Sequence, residues 1–192
     1  MFSDDFATLS EAAWDADTST VVPNSNEGTL DVLGHYDWAT YLRYRRPIEE
    51  GQAVLVLYKY DPDTELEAYL DIGDWQQSNY RRWGVYLAPG LWPDVYQGAT
   101  IIDDQRVVVD GDLVVQPDTW YYVGLSVNDG SELVAAIWER SRPEQIIMFT
   151  WRPEDSWDAT GWQFSSRANS GRAAIGGFAV LDIAPDDATA ND

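Results

Sequence analysis

Three acidic side chains lie on one face of the predicted strand ELEAYLD, residues 65–71, and carboxyl groups so placed are compatible with acid–base chemistry. Residues two apart on a strand share a face and lie ~6.5–7 Å apart. Glycoside hydrolysis uses two carboxyl groups about 5–5.5 Å apart for retention, or about 6.5–9.5 Å apart for inversion. Glu65 and Glu67 therefore have a spacing that fits hydrolysis, whereas Asp71 lies ~13 Å from Glu67.

Large aromatic side chains are concentrated where Gly, Pro, Asn and Asp interrupt the strands, above all in residues 74–98. Rings at such positions either cover the core from the loops or stack on the apolar C–H patches of sugars. Trp83 alternates with Val85 and Leu87, so we assign it to the core. The sequence predicts ligand-binding rings at Trp75, Tyr80, Trp92, Tyr96, Tyr36, Trp38 and Trp157.

Polar groups near these rings would bind the hydroxyl groups of a sugar. The predicted polar members of the site are Arg43, Arg82, Glu67 and Asp71. An arginine offers a forked donor that suits a pair of hydroxyls or a carboxylate. The alternative interpretation of Arg43 is an ion pair with an acidic residue of segment 65–71 on a neighbouring strand, which stabilises little when exposed.

The charge balance restricts the partners. The chain has 33 Asp and Glu against 12 Lys and Arg, a formal net charge of −21. That charge repels phosphate backbones and anionic lipids, so we expect neither nucleic acid nor a membrane as a partner and favour a neutral polysaccharide. No cysteine is present. The acidic residues 185–192 resemble the start of a linker, which predicts that the chain is one module of a larger protein.

Alternation of apolar and polar residues dominates, and sustained helical periodicity is absent. In WYYVGLSV (120–127), Tyr121, Val123, Leu125 and Val127 share one face, and NDGS then leads into ELVAAIWE (132–139) as a hairpin. About a dozen such strands predict an all-β antiparallel sandwich over residues 1–184. The segments 7–27, 88–104 and 152–160 are predicted long loops, and DLVV (112–115) is a predicted strand.

Three segments carry a resemblance to a known family: the opening FSDDF, the hairpin DTWYYVGLSVNDGSELVAAIWE and the closing GRAAIGGFAVLDI. They resemble the concanavalin A-like lectin/glucanase superfamily. The resemblance implies a jelly-roll of two packed sheets with adjacent first and last strands, and an extracellular or cell-surface location. Where the glucanase branch carries its third carboxylate this sequence has Tyr69, so we predict that the protein is not an enzyme.

The resemblance also implies a structural calcium ion where the first and last strands meet. The matching residues are Asp5 or its neighbour Asp4, Asp182, and Glu27 or Asp31. Clustered oxygen ligands are what this cation requires. Solvated surface carboxylates are the alternative interpretation of the same residues.

The sequence as a whole predicts a non-catalytic carbohydrate-binding, lectin-like module. One alternative is a structural or adhesive domain that binds a protein partner through its aromatic loops. A second alternative is a divergent glycoside hydrolase that uses Glu65 and Glu67.

Overall fold

The computed structural model describes residues 2–6, 9–33, 40–62, 67–73, 82–91, 93–97, 100–101, 106–108, 113–128, 132–152, 161–167 and 171–183. Their regular structure is β throughout, in sixteen strands. The strands are β1 Phe2–Asp4, β2 Trp14–Ala16, β3 Val21–Asn24, β4 Thr29–Leu33, β5 Thr40–Tyr44, β6 Gln52–Tyr60, β7 Glu67–Gly73, β8 Arg82–Leu87, β9 Asp94–Gln97, β10 Thr100–Ile101, β11 Arg106–Val108, β12 Trp120–Asn128, β13 Glu132–Glu139, β14 Ile146–Trp151, β15 Gly161–Arg167 and β16 Arg172–Asp182.

The strands form two antiparallel sheets. The first sheet has nine strands in the order β11-β14-β13-β12-β6-β16-β4-β3, with β1 also paired to β16. The second sheet has seven strands in the order β10-β9-β8-β7-β15-β5-β2. Within the described residues no helix is long and apolar enough to cross a membrane.

The two sheets face each other through alternate side chains of their strands. In β12 the predicted inward residues are all buried, and those of β6 and β13 alternate in the same way. Trp83 of the second sheet is fully buried, which confirms its assignment to the core. Trp162 and Phe178 pack in the same core at a ring-centroid distance of 5.0 Å. The alternation therefore produces the predicted all-β sandwich, because each sheet has one face that is excluded from water.

The last strand joins the two ends of the chain. Phe2 pairs with Val180 and Asp4 with Phe178, so the first and last strands are adjacent, as the resemblance implied. Residues 172–175 of β16 pair with β4 on that same edge. The carboxylate of Asp4 accepts hydrogen bonds from the backbone N–H of Phe6 at 2.8 Å and from Trp14 Nε1 at 2.7 Å. Asp4 thus connects β1 to the edge of the second sheet.

Two predicted loops contain short strands, so those predictions were wrong. Segment 7–27 contains β2 and β3, and segment 88–104 contains β9 and β10. Each has only two to four residues, too few for alternation to be read from sequence. The predicted strand 112–115 is also wrong for its described residues, because Val115 exchanges backbone hydrogen bonds with the turn after β8, at Gly90 and Leu91, instead of joining a ladder.

Candidate functional site

The outer face of the second sheet collects polar and aromatic side chains from four adjacent strands, and we call it the polar face. Its described members are Tyr41 and Arg43 of β5, Glu67, Tyr69 and Asp71 of β7, Tyr86 of β8, and Gln163 and Ser165 of β15. Their sequence neighbours, such as Leu42, Leu70 and Phe164, lie in the core. Strand alternation therefore sends every second residue of these strands to this face.

A polar row crosses the middle of this face. Asp71 pairs with Gln163 across β7 and β15, and Gln163 pairs with Arg43 across β15 and β5. Arg43 Nε donates a hydrogen bond of 2.5 Å to Gln163 Oε1. The Arg43 guanidinium carbon lies 4.4 Å from the centroid of the Tyr41 ring. An amide and a ring thus hold the arginine on the polar face, and β15 lies between its strand and β7.

A pair of rings flanks the polar row. Tyr69 and Tyr86 face each other across β7 and β8, with ring centroids 5.1 Å apart and planes tilted by 52°. The Tyr69 hydroxyl donates a hydrogen bond of 3.3 Å to Glu67 Oε2. Rings beside hydrogen-bonding groups match the two requirements of a sugar ligand, an apolar C–H patch and a set of hydroxyls.

Asp71 lies on this face by register, yet its exposed fraction is 0%. Its partner on β8 is Gly84, and a Cβ atom placed there would lie 2.1 Å from the Leu70 carbonyl oxygen and 2.5 Å from Asp71 Cα. Only glycine fits so close an approach of two backbones. Asp71, which the sequence predicted as a ligand-binding residue, is therefore a buried component of the polar row.

The structure describes some of the predicted site residues and not others. Arg43, Glu67 and Asp71 come together on the polar face as stated above. Tyr96 and Arg82 lie in β9 and β8, and Tyr96 pairs with Gly84, next to Asp71 in the register. The remaining rings lie outside the described residues: Trp75, Tyr80, Trp92, Tyr36, Trp38 and Trp157. Those predictions stay predictions.

Sequence reasoning missed Gln163 and Ser165, which are 5% and 4% exposed. Both are polar residues at alternate positions of GWQFSSR, residues 161–167, between the buried Trp162 and Phe164. Alternation alone marks them as residues of an outer face. Their place beside Arg43 depends on strand order. Arg43 and Gln163, which one hydrogen bond joins, are 120 residues apart in the sequence.

The carboxylates of β7 are farther apart than those of a glycoside hydrolase. Glu67 and Asp71 are four residues apart on its outer face, with Tyr69 between them. That spacing is ~13 Å along a strand, longer than the about 9.5 Å that an inverting pair spans. Glu65, the other half of the predicted pair, lies outside the described residues.

The predicted calcium ligands do not come together, so that set is wrong as a single site. Asp5 follows Asp4, whose partner is Phe178, and Asp182 lies four residues farther along β16, ~13 Å away. Glu27 pairs with Arg172 at the other end of β16, at 3.6 Å. Calcium ligands must all lie about 2.3–2.6 Å from the ion. Within the described ranges no group of three acidic or histidine side chains could hold a metal.

Comparison with known proteins places this architecture. No protein-family model and no curated protein matches the sequence. A structure described with the endo-acting O-glycanases of human gut microbiota matches 95% of this chain and 99% of its own, with a TM-score of 0.66 and 9% identity. The β-glucanase of Bacillus licheniformis matches 92% of this chain and 95% of its own, with a TM-score of 0.63 and 7% identity.

A lectin domain is similar to the same extent. The exoplasmic/lumenal domain of VIP36, solved with Ca²⁺ and Man3GlcNAc, matches 91% of this chain and 85% of its own, with a TM-score of 0.62 and 8% identity. At such identities the likeness concerns the fold. The chain has the concanavalin A-like lectin/glucanase fold, which glycanases and lectins share and which the resemblance of its first, middle and last segments predicted.

Proposed function

We propose that the protein is a non-catalytic carbohydrate-binding module whose polar face binds a neutral oligo- or polysaccharide. One observation carries the proposal: the row Asp71–Gln163–Arg43 runs across three adjacent strands beside the Tyr69–Tyr86 ring pair. Asp71 and Gln163 are buried and Gln163 accepts a hydrogen bond from Arg43, so binding requires little ordering of side chains. We extend the proposal to an extracellular or cell-surface location, where such polysaccharides occur.

The positions of the described carboxylates on β7 favour binding without hydrolysis. Hydrolysis needs a second carboxyl group within about 9.5 Å of the first. On the described part of β7 the position between Glu67 and Asp71 carries Tyr69, whose hydroxyl engages Glu67. A catalytic acid or base would have to occupy the position of Tyr69. The tyrosine there can stack on a ligand and form hydrogen bonds.

The test is a screen of soluble neutral oligosaccharides followed by titration calorimetry on variants. Arg43→Ala removes the charged donor from the polar row, and we expect it to weaken binding by about 10- to 150-fold, the equivalent of one charge-assisted hydrogen bond. Arg140→Ala is the matched control, because Arg140 is an exposed arginine that directly follows β13 of the first sheet. The affinity of this variant should equal that of the wild type.

Two results would contradict this proposal. One is an affinity that Arg43→Ala leaves unchanged. The other is release of reducing ends from the bound glycan by the wild type but not by Glu67→Gln, which would identify a hydrolase.

A further inference from the structure

The outer face of the first sheet is apolar over five adjacent strands, and we call it the apolar face. Strand register aligns its side chains in three rows across β16, β6, β12, β13 and β14. The rows are Leu181–Ala53–Ser126–Val134–Thr150, Ala179–Leu55–Gly124–Ala136–Met148 and Gly177–Leu57–Tyr122–Trp138–Ile146. None of these residues is charged, although a sheet face open to water normally carries polar side chains.

Two rings on this face stack on each other, and a glycine of β16 leaves open space beside them. Tyr122 and Trp138 pair across β12 and β13 with ring centroids 5.3 Å apart and planes only 27° from parallel. A Cβ atom at Gly176 would lie 3.0 Å from the Trp120 ring, so the ring of Trp120 lies directly against β16. Gly177 has no atom within 4 Å of its missing Cβ. It shares an open cavity of about 340 Å³ with Leu57 and Tyr122, and Ser3, Asp4 and Asp5 line the side of that cavity next to β1.

Charged residues at the two ends of the apolar face form ion pairs. Lys59 lies beside the Trp120 ring, 5.3 Å from its centroid, and forms an ion pair of 3.0 Å with Asp118. Glu132 forms an ion pair of 3.1 Å with Arg152 at the opposite end. The three rows are therefore uncharged within a molecule of net charge −21, and Asp4 and Asp5 lie at their edge next to β1. A second copy would bring a like charge of the same size towards it, which opposes self-association, so a neutral occupant fits best.

We propose that the apolar face binds the flat C–H surface of an ordered, insoluble, neutral polysaccharide. Its three rows contain few hydroxyl or amide groups, and a sugar hydroxyl buried without a partner costs about 1–3 kcal/mol. A single soluble chain carries hydroxyls that would lose water against this face. In an ordered polysaccharide neighbouring chains bond those hydroxyls to each other, and the exposed C–H plane can lie on the apolar side chains of the three rows without that loss.

This surface lies on the sheet opposite to the polar face, so the inference does not rest on the proposed function. The test measures depletion of the full chain from solution by microcrystalline cellulose, α-chitin and an insoluble β-1,3-glucan. We expect adsorption to at least one of them. Tyr122→Ala and Trp138→Ala each remove apolar contact area from the face and should weaken adsorption about 10- to 150-fold.

A third variant leaves both rings in place. Gly177→Glu adds a charged side chain where nothing lies within 4 Å, so it should fold normally and prevent flat contact. Leu91→Ala is the matched control, because Leu91 is an exposed apolar residue, 51% exposed, outside the apolar face. Its adsorption should equal that of the wild type. Melting curves of all variants separate loss of the surface from loss of the fold.

Three outcomes would overturn the inference. The wild type adsorbs to none of the three solids, or Gly177→Glu adsorbs as well as the wild type. In the third, light scattering shows that the wild type self-associates and that Gly177→Glu is monomeric, which would make the face an interface between copies. Soluble-oligosaccharide titration of the same variants should be unchanged, so this test fails or succeeds independently of the polar-face proposal.

Discussion

The two outer faces are built from the same kind of strand, yet they differ in how their surfaces are fixed. On the polar face Gly84 allows two backbones to approach so closely that a Cβ would lie 2.1 Å from a carbonyl oxygen, and Asp71 is buried beside it. On the apolar face Gly177 has open space above it. The first arrangement positions individual polar groups, and the second leaves a plane. The fixed row of polar groups can bind individual sugar hydroxyls, whereas the apolar face can contact an extended surface.

The largest effect should come from the core beneath the polar face. Trp83→Ala removes a fully buried ring and should lower the free energy of unfolding by about 3–5 kcal/mol, measured by urea denaturation. Tyr122→Ala, on the half-buried apolar face, should cost about 1 kcal/mol, near the centre of the range for point mutants. Equal losses in the two variants would mean that the apolar face is as buried as the core, and the contrast between the faces would disappear.

The two glycines provide a matched pair. Gly84→Ala forces a backbone shift and should destabilise the fold by about 1–3 kcal/mol, the usual cost of overpacking. Gly177→Ala meets nothing within 4 Å and should change the free energy of unfolding by no more than about 0.5 kcal/mol. Thermal or urea unfolding measures both. A tolerated Gly84→Ala would contradict the close approach of β8 to Asp71.

The ring pairs Tyr69–Tyr86 and Tyr122–Trp138 should bind different ligands. Tyr69→Ala should weaken binding of a soluble oligosaccharide by about 5- to 150-fold, while Tyr69→Phe keeps the ring and most of the affinity. Tyr122→Ala should not change that affinity. Calorimetry on the three variants decides the matter, and a loss in Tyr122→Ala equal to that in Tyr69→Ala would merge the two surfaces into one site.

The smallest effect concerns a carboxylate at the end of β13, remote from the polar row. The hydrogen bond from Arg142 holds the pKa of Glu139 below its usual range. A lowered pKa contributes stability at pH values above the ordinary carboxyl pKa, and that contribution is lost as the pH falls through the lowered value. Arg142→Ala should therefore be less stable than the wild type at neutral pH and equal to it at about pH 2. Urea unfolding across that range measures this, and a difference that persists in acid would assign the effect to packing of the arginine.

The sequence predicted the parts of this molecule that depend on alternation. Spacing alone placed Trp83 in the core and Tyr121, Val123, Leu125 and Val127 on one face, because side chains on a strand repeat every two residues. The contact between Arg43 and Gln163 was not predictable in that way, since β15 enters between β5 and β7 and alternation carries no strand order. The calcium set was wrong for the same reason: closeness to the strand junction in sequence does not specify register along β16.

Lys59 is the single lysine of the chain, and it lies beside Trp120 on the sheet that carries the apolar face. Its ammonium group forms an ion pair with Asp118, and its side chain is only 16% exposed. Amine-directed chemistry at a side chain is thus confined to one side of the molecule. A sensor surface coupled through Lys59 would hold the protein with its apolar face towards the support and its polar face towards the analyte. Biotin or a fluorophore attached there would report on one sheet and leave the other untouched.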